Sequence, residues 1–143
     1  GAIGLSQLSG RKNDAQIVLA RVDTSEFRAR LTGYNLAVTE LVSQLHDSAP
    51  WTVSRLESTL DTLAELTTVN RDLSLYWNLV PARTRELLPE LQSLSAAVSL
   101  FSEKTAAARH ALEGENNAQA HRDLVRLDRV SRRLAELAVA PSQ

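Results

Sequence analysis

A regular spacing of apolar side chains over residues 13–47 constrains this sequence more than any other feature. Apolar or aromatic residues recur there alternately every third and fourth position, with one threonine in the run: Ile17, Ala20, Thr24, Phe27, Leu31, Tyr34, Val38, Leu41 and Leu45. A mean repeat of about 3.5 residues places side chains on one stripe of an α-helix, whereas a strand would need strict alternation. A helix of this length would extend about 50 Å, so its stripe requires other long helices as cover.

Three further segments carry the same helical periodicity, so four helices are predicted. They cover residues 13–47, 51–79, 89–113 and 117–138. Pro50 suits the first turn of the second helix, and Asn117 suits the N-cap of the fourth. Gly114 is expected to end the third helix because glycine tolerates a positive φ. Short connections make consecutive helices antiparallel neighbours, so we predict an all-α, antiparallel up-down-up-down four-helix bundle.

The 143 residues fit a single domain, which we assign to residues 13–140. Residues 1–12 lack sustained periodicity and are expected to form a flexible N-terminal arm or the remnant of a tag. The chain begins at Gly1 and contains no methionine, so we expect it to be processed or truncated. Inside the first helix, Gly33 should cost about 1 kcal/mol relative to alanine. We expect close approach of a bulky neighbour there, and a hinge or a gap at a binding site is the alternative.

Composition argues against several functional classes. The formal net charge is −1, which argues against a general nucleic-acid binder and against a polybasic protein of the membrane surface. Cysteine is absent, which excludes disulfides and thiolate chemistry in this chain. No apolar run approaches the roughly 20 residues that span a bilayer, so no membrane insertion is expected. The excess of arginine over lysine, with abundant alanine and leucine, favours a bacterial source, and an extracytoplasmic location suits such a chain.

Searching for reactive motifs gives no candidate catalytic residue. The chain has no Gly-rich phosphate loop, no Gly-x-Ser-x-Gly and no Glu-x-x-His, so neither a metal nor a cofactor is predicted. The predicted fourth helix carries five arginines among acidic residues, which favours a solvated face with ion pairs inside the helix. These arginines are Arg122, Arg126, Arg129, Arg132 and Arg133.

One histidine motif does match a known pattern. The stretch His110-Ala-Leu-Glu-Gly114 resembles the phosphoacceptor motif of histidine phosphotransfer domains, which are also helical bundles. The resemblance implies that His110 accepts a phosphoryl group. That family places a lysine directly before the glycine, where Glu113 stands in this chain, and a carboxylate there would repel the phosphoryl group. A solvated histidine near a helix C-terminus is the simpler interpretation.

Two sets of polar and aromatic residues are the remaining site candidates. If the four helices fold back on one another about their loops, four residues come to lie in nearby layers and form a predicted mid-bundle polar layer: Tyr34, Thr67, Asn70 and Thr105. Such a layer would fix helix register or contact a small ligand. Tyr76, Trp77 and Trp51 are candidate partner-binding anchors, with plugging of the bundle ends as the alternative.

Together these observations favour a non-enzymatic interaction or sensory module that belongs to a larger bacterial protein or assembly. A protein partner or self-association is expected, and nucleic acid is not. The first alternative is a structural, coiled-coil-like homodimer. The second alternative is a histidine phosphotransfer-like protein that uses His110.

Overall fold

A computed structural model describes residues 24–139 of the chain, and it describes side chains as far as Leu137. Within this range the chain forms α-helices and no strand. The helices are α1 (Thr24–Leu45), α2 (Val53–Leu79), the single-turn α3 (Ala82–Arg85), α4 (Ser95–Glu113) and α5 (Ala118–Val139). The predicted all-α helical bundle is confirmed. The predicted arm at residues 1–12 and the predicted helical residues 13–23 lie outside the described residues.

The apolar stripe of α1 faces the core as its spacing predicts. All members of the repeat from Phe27 to Leu45 are buried. The other long helices contribute the side chains that meet this stripe, and the largest that are fully enclosed are Leu56, Leu60, Leu63, Leu73, Phe101 and Leu127. Truncating a fully buried leucine to alanine typically destabilises a protein by about 2 to 5 kcal/mol. The bundle is therefore held mainly by these continuous apolar seams.

Helices α2 and α4 lie at the centre of the bundle, because each of them packs against both α1 and α5 as well as against the other. Two ion pairs show the relative direction of α2 and α5. Glu57 of α2 pairs with Arg126 of α5, and Asp61, one turn further along α2, pairs with Arg133, two turns further along α5. Helices α2 and α5 therefore run in the same direction along their shared seam.

Helix α4 begins later than its periodicity predicts. It begins at Ser95 instead of residue 89. Residues 86–94, which we call the strap, contain no regular helix after the turn that follows α3. Side chains of α1 and α2 bind backbone groups of the strap, as described below. The sequence pattern contains only the local preference of these residues and not this long-range contact.

Local capping explains the other helix ends, with two corrections. The Asn117 side chain accepts a hydrogen bond from the Ala120 amide at 2.8 Å, which confirms the predicted cap. Thr52 rather than Pro50 sets the start of α2, because the Thr52 hydroxyl accepts from the Arg55 amide at 3.1 Å. Helix α4 ends at Glu113 with Gly114 as its C-cap, which confirms the predicted end, but Gly114 has φ −76° and does not use the positive φ that glycine tolerates.

Gly33 is the second glycine that differs from its prediction. Within residues 24–139, no atom outside its own helix backbone and its chain neighbours lies within 4 Å of the position that a Cβ would occupy, and the residue is exposed. The expected close approach of a bulky side chain at Gly33 was therefore wrong. A methyl group at this position would point into open space.

Candidate functional site

Asn35 of α1 holds the strap through two hydrogen bonds with its backbone. Its side-chain Nδ2 donates to the Glu90 carbonyl at 2.8 Å, and its Oδ1 accepts from the Gln92 amide at 3.0 Å. One primary amide thus satisfies a donor and an acceptor two residues apart, as a neighbouring backbone would. Asn35 is half-buried, so these bonds form at the edge of the core.

Tyr34 and Asn70 extend this contact into the interior. The Tyr34 hydroxyl donates to the Gln92 carbonyl at 3.1 Å, and Asn70 Nδ2 donates to the Tyr34 oxygen at 2.8 Å. Asn70 also lies 3.4 Å from the Gln92 carbonyl. Burial raises the pKa of the Tyr34 phenol, and the hydrogen bond from Asn70 partly opposes that increase. We call Tyr34, Asn35 and Asn70 the clamp, because together they fix Glu90 and Gln92 of the strap.

The predicted mid-bundle layer is only partly assembled as a network. Tyr34 and Asn70 are joined directly, but Thr67 and Thr105 bond within their own helices. The Thr67 hydroxyl donates to the Leu63 carbonyl at 2.8 Å, and that of Thr105 donates to the Phe101 carbonyl at 2.9 Å. A threonine in a helix can satisfy its hydroxyl on the carbonyl one turn earlier, so it needs no partner across the bundle. The four residues do not form one hydrogen-bonded layer.

Two of the predicted aromatic anchors lie near the strap, at the C-terminal end of α2. Tyr76 and Trp77 are half-buried and pack against the core. The ring of Tyr76 lies 6.4 Å from that of Phe27, at an angle of 58°. The next residue of α1, Arg28, donates from Nη2 to the Leu87 carbonyl at 2.9 Å. The strap and the end of α2 therefore meet the same turn of α1.

This end of the bundle also exposes two large apolar side chains. Leu75 is 63% exposed and Leu87 is 72% exposed. We call the end of the bundle that carries Leu75, Tyr76, Trp77 and Leu87 the strap-end surface; Leu75 and Trp77, two residues apart on α2, lie on different faces of that helix. It combines exposed aliphatic groups with aromatic rings that are already anchored in the core.

Trp51, the third predicted anchor, lies in the connection between α1 and α2. Its Nε1 donates to the Asp47 carbonyl at 3.1 Å, and the guanidinium carbon of Arg55 lies 3.7 Å from the centroid of its ring. Arg55 also pairs with the Asp47 carboxylate at 3.1 Å and donates to the Ala49 carbonyl at 3.3 Å. The Ala49 amide and then the Arg55 guanidinium lower the pKa of Asp47. We call Asp47, Trp51 and Arg55 the corner. The polar groups of Trp51 and Arg55 bond to residues of the connection between α1 and α2.

The arginines of α5 bind other helices as well as their own. Arg126 makes a two-point contact with Glu57, with Nε at 3.1 Å and Nη2 at 2.5 Å from the two carboxylate oxygens. This contact lowers the pKa of Glu57. Arg126 also pairs inside its helix with Asp123 at 3.4 Å, as predicted for this face. A further ion pair joins Asp128 to Arg109 of α4. The arginine face is therefore partly a seam between helices.

His110 is exposed in the last turn of α4, which ends at Glu113. Its neighbour Arg109 is engaged with Asp128. Between residues 24 and 139, no three histidine or acidic side chains come together closely enough to hold a metal ion. The helices of the same part of the chain include none that is long and apolar enough to cross a bilayer.

A scan against protein-family models, a search among curated proteins and a search among solved structures each found no match to this chain.

Four residues that matter here were not singled out from the sequence: Arg28, Asn35, Leu87 and Gln92. Three of them are exposed and one is half-buried, and their partners lie more than fifty positions away along the chain. The available signal was Pro89, which interrupts the segment between α2 and α4. A proline marks a break in regular structure, but it does not show which side chains bind the segment that follows.

Proposed function

We propose that this chain is a non-enzymatic interaction or sensory module that works within a larger bacterial protein or assembly, and that it contacts a protein partner through the strap-end surface. The observation that carries the proposal is the exposure of two large apolar side chains, Leu75 near the C-terminal end of α2 and Leu87 in the strap. Burying an exposed leucine contributes about 1.5 to 3 kcal/mol. Tryptophan and tyrosine are the side chains most enriched at the energetic centres of interfaces.

The polar groups of the bundle support the same proposal. The clamp directs its three side chains to the backbone of the strap. The corner does the same for the link between α1 and α2. These side chains position chain segments, and the strap they hold carries Leu87 at the surface. Holding the strap in one conformation lowers the entropy lost when a partner binds.

Site-specific photo-cross-linking tests the proposed surface. A photoreactive amino acid at position 87 or 75 is expected to give discrete cross-linked products in cells that express the chain naturally. The matched control is position 125, because Val125 is also a large exposed apolar residue, at 51% exposure, but lies on α5. Equal products from position 125, or none from positions 75 and 87, would contradict the proposal. Mass spectrometry of the products identifies the partner.

The homodimer is retained as a second candidate because the same exposed leucines would be buried by a second copy. Sedimentation equilibrium of the purified chain distinguishes the two. A dimer that dissociates in a Leu75→Ser/Leu87→Ser variant would make a second copy the partner. A monomer at high concentration would remove this candidate and leave the partner to a different protein.

A further inference from the structure

We propose that the strap is a two-state element. In one state the clamp holds residues 89–94 outside any helix, as described above. In the other state the same residues join the N-terminus of α4 and lengthen it by more than one turn. The inference concerns the strap itself and goes beyond the proposed interaction function.

The residues of the strap favour a helix on local grounds. Glu90, Leu91 and Gln92 are strong helix formers. Pro89 suits the first helical position, and the carboxylate of Glu90 would lie in the first turn, where negative charge is favoured. The spacing from Leu91 through Leu94 to Val98 continues the apolar repeat of α4 without a break. The observed conformation of residues 89–94 therefore opposes their intrinsic preference.

The clamp and the longer helix compete for the same backbone groups. In a helix that begins at Pro89, the Gln92 amide would donate to the Leu88 carbonyl, and the Glu90 carbonyl would accept from the Leu94 amide. In the structure that amide donates to Asn35, and that carbonyl accepts from Asn35. One arrangement of hydrogen bonds excludes the other, which is the requirement for a switch between two discrete states.

The observed start of α4 is weakly held, which leaves the longer helix within reach. Its N-cap residue, Leu94, makes no side-chain capping bond. Ser93 partly replaces it by accepting from the Ser95 amide at 3.1 Å. Four hydrogen bonds from the clamp are therefore opposed by local propensity and by a poorly capped helix end. Net contributions of about 1 kcal/mol per hydrogen bond make such a balance adjustable by single substitutions.

The change of state would alter the strap-end surface. Arg28 holds the Leu87 carbonyl, and the clamp holds the chain three to five residues further on. When residues 89–94 become helical, Leu87 must move relative to Trp77. This consequence rests on the proposed function, whereas the two states of the strap do not. Nuclear magnetic resonance reports on the strap and cross-linking reports on the surface, so the two can fail separately.

The test compares Asn35→Ala and Asn35→Ala/Tyr34→Phe with the wild type. The double variant removes the main clamp bonds but keeps the buried ring of residue 34. We expect the ¹³Cα shifts of residues 90–93 to move to helical values in the variants. The Ala96 amide would then donate to the Gln92 carbonyl. Its exchange with solvent should therefore slow by about tenfold. The control is Asn78→Ala, an exposed asparagine on α2, which should leave both readouts unchanged.

The outcome is decisive in either direction. Helical shifts at residues 90–93 together with slower exchange at Ala96 support the two-state strap. Random-coil shifts in a folded variant would show that the clamp merely orders a loop, and unchanged shifts would show that the clamp does not hold the segment. Either result overturns the proposal. If the double variant does not fold, Asn35→Ala alone decides, because Asn35 lies at the edge of the core and its loss leaves the apolar seams intact.

Discussion

The two long connections of the bundle differ in the sequence separation of the residues that hold them. The corner between α1 and α2 is held by contacts between residues two to eight positions apart. The strap between α3 and α4 is held by contacts that span 55 to 59 positions to α1. The corner is thus specified by its own residues, whereas the strap takes its shape only when α1 and α2 are already in place. A substitution in the corner removes contacts within that connection, whereas a substitution in the strap also removes contacts with α1.

The largest expected effect is at Leu88, the buried anchor of the strap, which is 8% exposed. Leu88→Ala should lower the free energy of unfolding by about 2 to 4 kcal/mol, because it leaves a cavity between the strap and the core. Its neighbour provides the control. Leu87→Ala should change stability by less than about 0.5 kcal/mol, since Leu87 is exposed. Urea denaturation followed by circular dichroism measures both, and equal losses would show that the strap is not anchored as described.

Asn35→Ala should come next in magnitude. It removes the two hydrogen bonds that Asn35 makes with the Glu90 carbonyl and the Gln92 amide, so the free energy of unfolding should fall by about 1 to 2 kcal/mol, at about 1 kcal/mol for each bond. Gln44→Ala is the matched control on the same helix, because the amide of Gln44 reaches only the side chain of Glu40, at 3.5 Å. A loss at Gln44 as large as that at Asn35 would contradict the long-range character of the strap.

Gly33→Ala tests the opposite case, in which local propensity acts alone. Nothing opposes a methyl group at this position, so alanine should raise the free energy of unfolding by about 0.5 to 1 kcal/mol. The thermal midpoint should rise accordingly in calorimetry. A loss of stability instead would mean that residue 33 has a long-range role like that of its neighbour Tyr34.

The smallest expected effects are those of pH, and they separate the two connections. The pKa of Asp47 at the corner is lowered, so its contribution is complete above the ordinary carboxyl pKa of about 4 and is lost as pH falls through the lowered value. The pKa of Tyr34 in the clamp is raised, so its contribution is complete below about pH 10 and is lost as pH rises through the raised value.

Variants at these two positions check the assignment. Asp47→Asn should flatten the acid side of the plot of stability against pH, and Tyr34→Phe should flatten the alkaline side. The comparison requires urea midpoints over the whole pH range for the wild type and both variants. If Asp47→Asn changed the alkaline side, or Tyr34→Phe the acid side, the pKa shifts would not belong to these groups.

The difference between local and long-range contacts also explains which features the sequence could predict. The stripe from Phe27 to Leu45 predicted the buried face of α1, and Asn117 predicted the start of α5, because periodicity and capping are properties of neighbouring residues. The start of α4 was predicted at residue 89 because the spacing of Leu91, Leu94 and Val98 is helical. In the structure the strap backbone instead bonds to Asn35 and Tyr34, whose distance in sequence hides the contact.

In the candidate site, the sequence predicted which residues lie near one another but not all of their hydrogen-bond partners. Tyr34 and Asn70 were predicted to lie close together from the folding back of helices, and the structure joins them by a hydrogen bond. Thr67 and Thr105 satisfy this argument of position equally well, but each bonds to its own helix. A count of residues along helices gives the level of a side chain in the bundle. It does not give the partner that its hydroxyl chooses.

The contacts of α5 with other helices include ion pairs, which are sensitive to ionic strength. Among the described residues, every ion pair that links two helices includes a residue of α5: those of Arg126 and Arg133 with α2, and that of Asp128 with α4. Dissolved salt screens such pairs, over a Debye length that shrinks from about 10 Å at 0.1 M to about 3 Å at 1 M, but it has little effect on neutral hydrogen bonds. High ionic strength should therefore weaken the ion pairs of α5, which contribute little to stability because they are solvent-exposed, while its apolar seam and the hydrogen bonds to Gln92 persist.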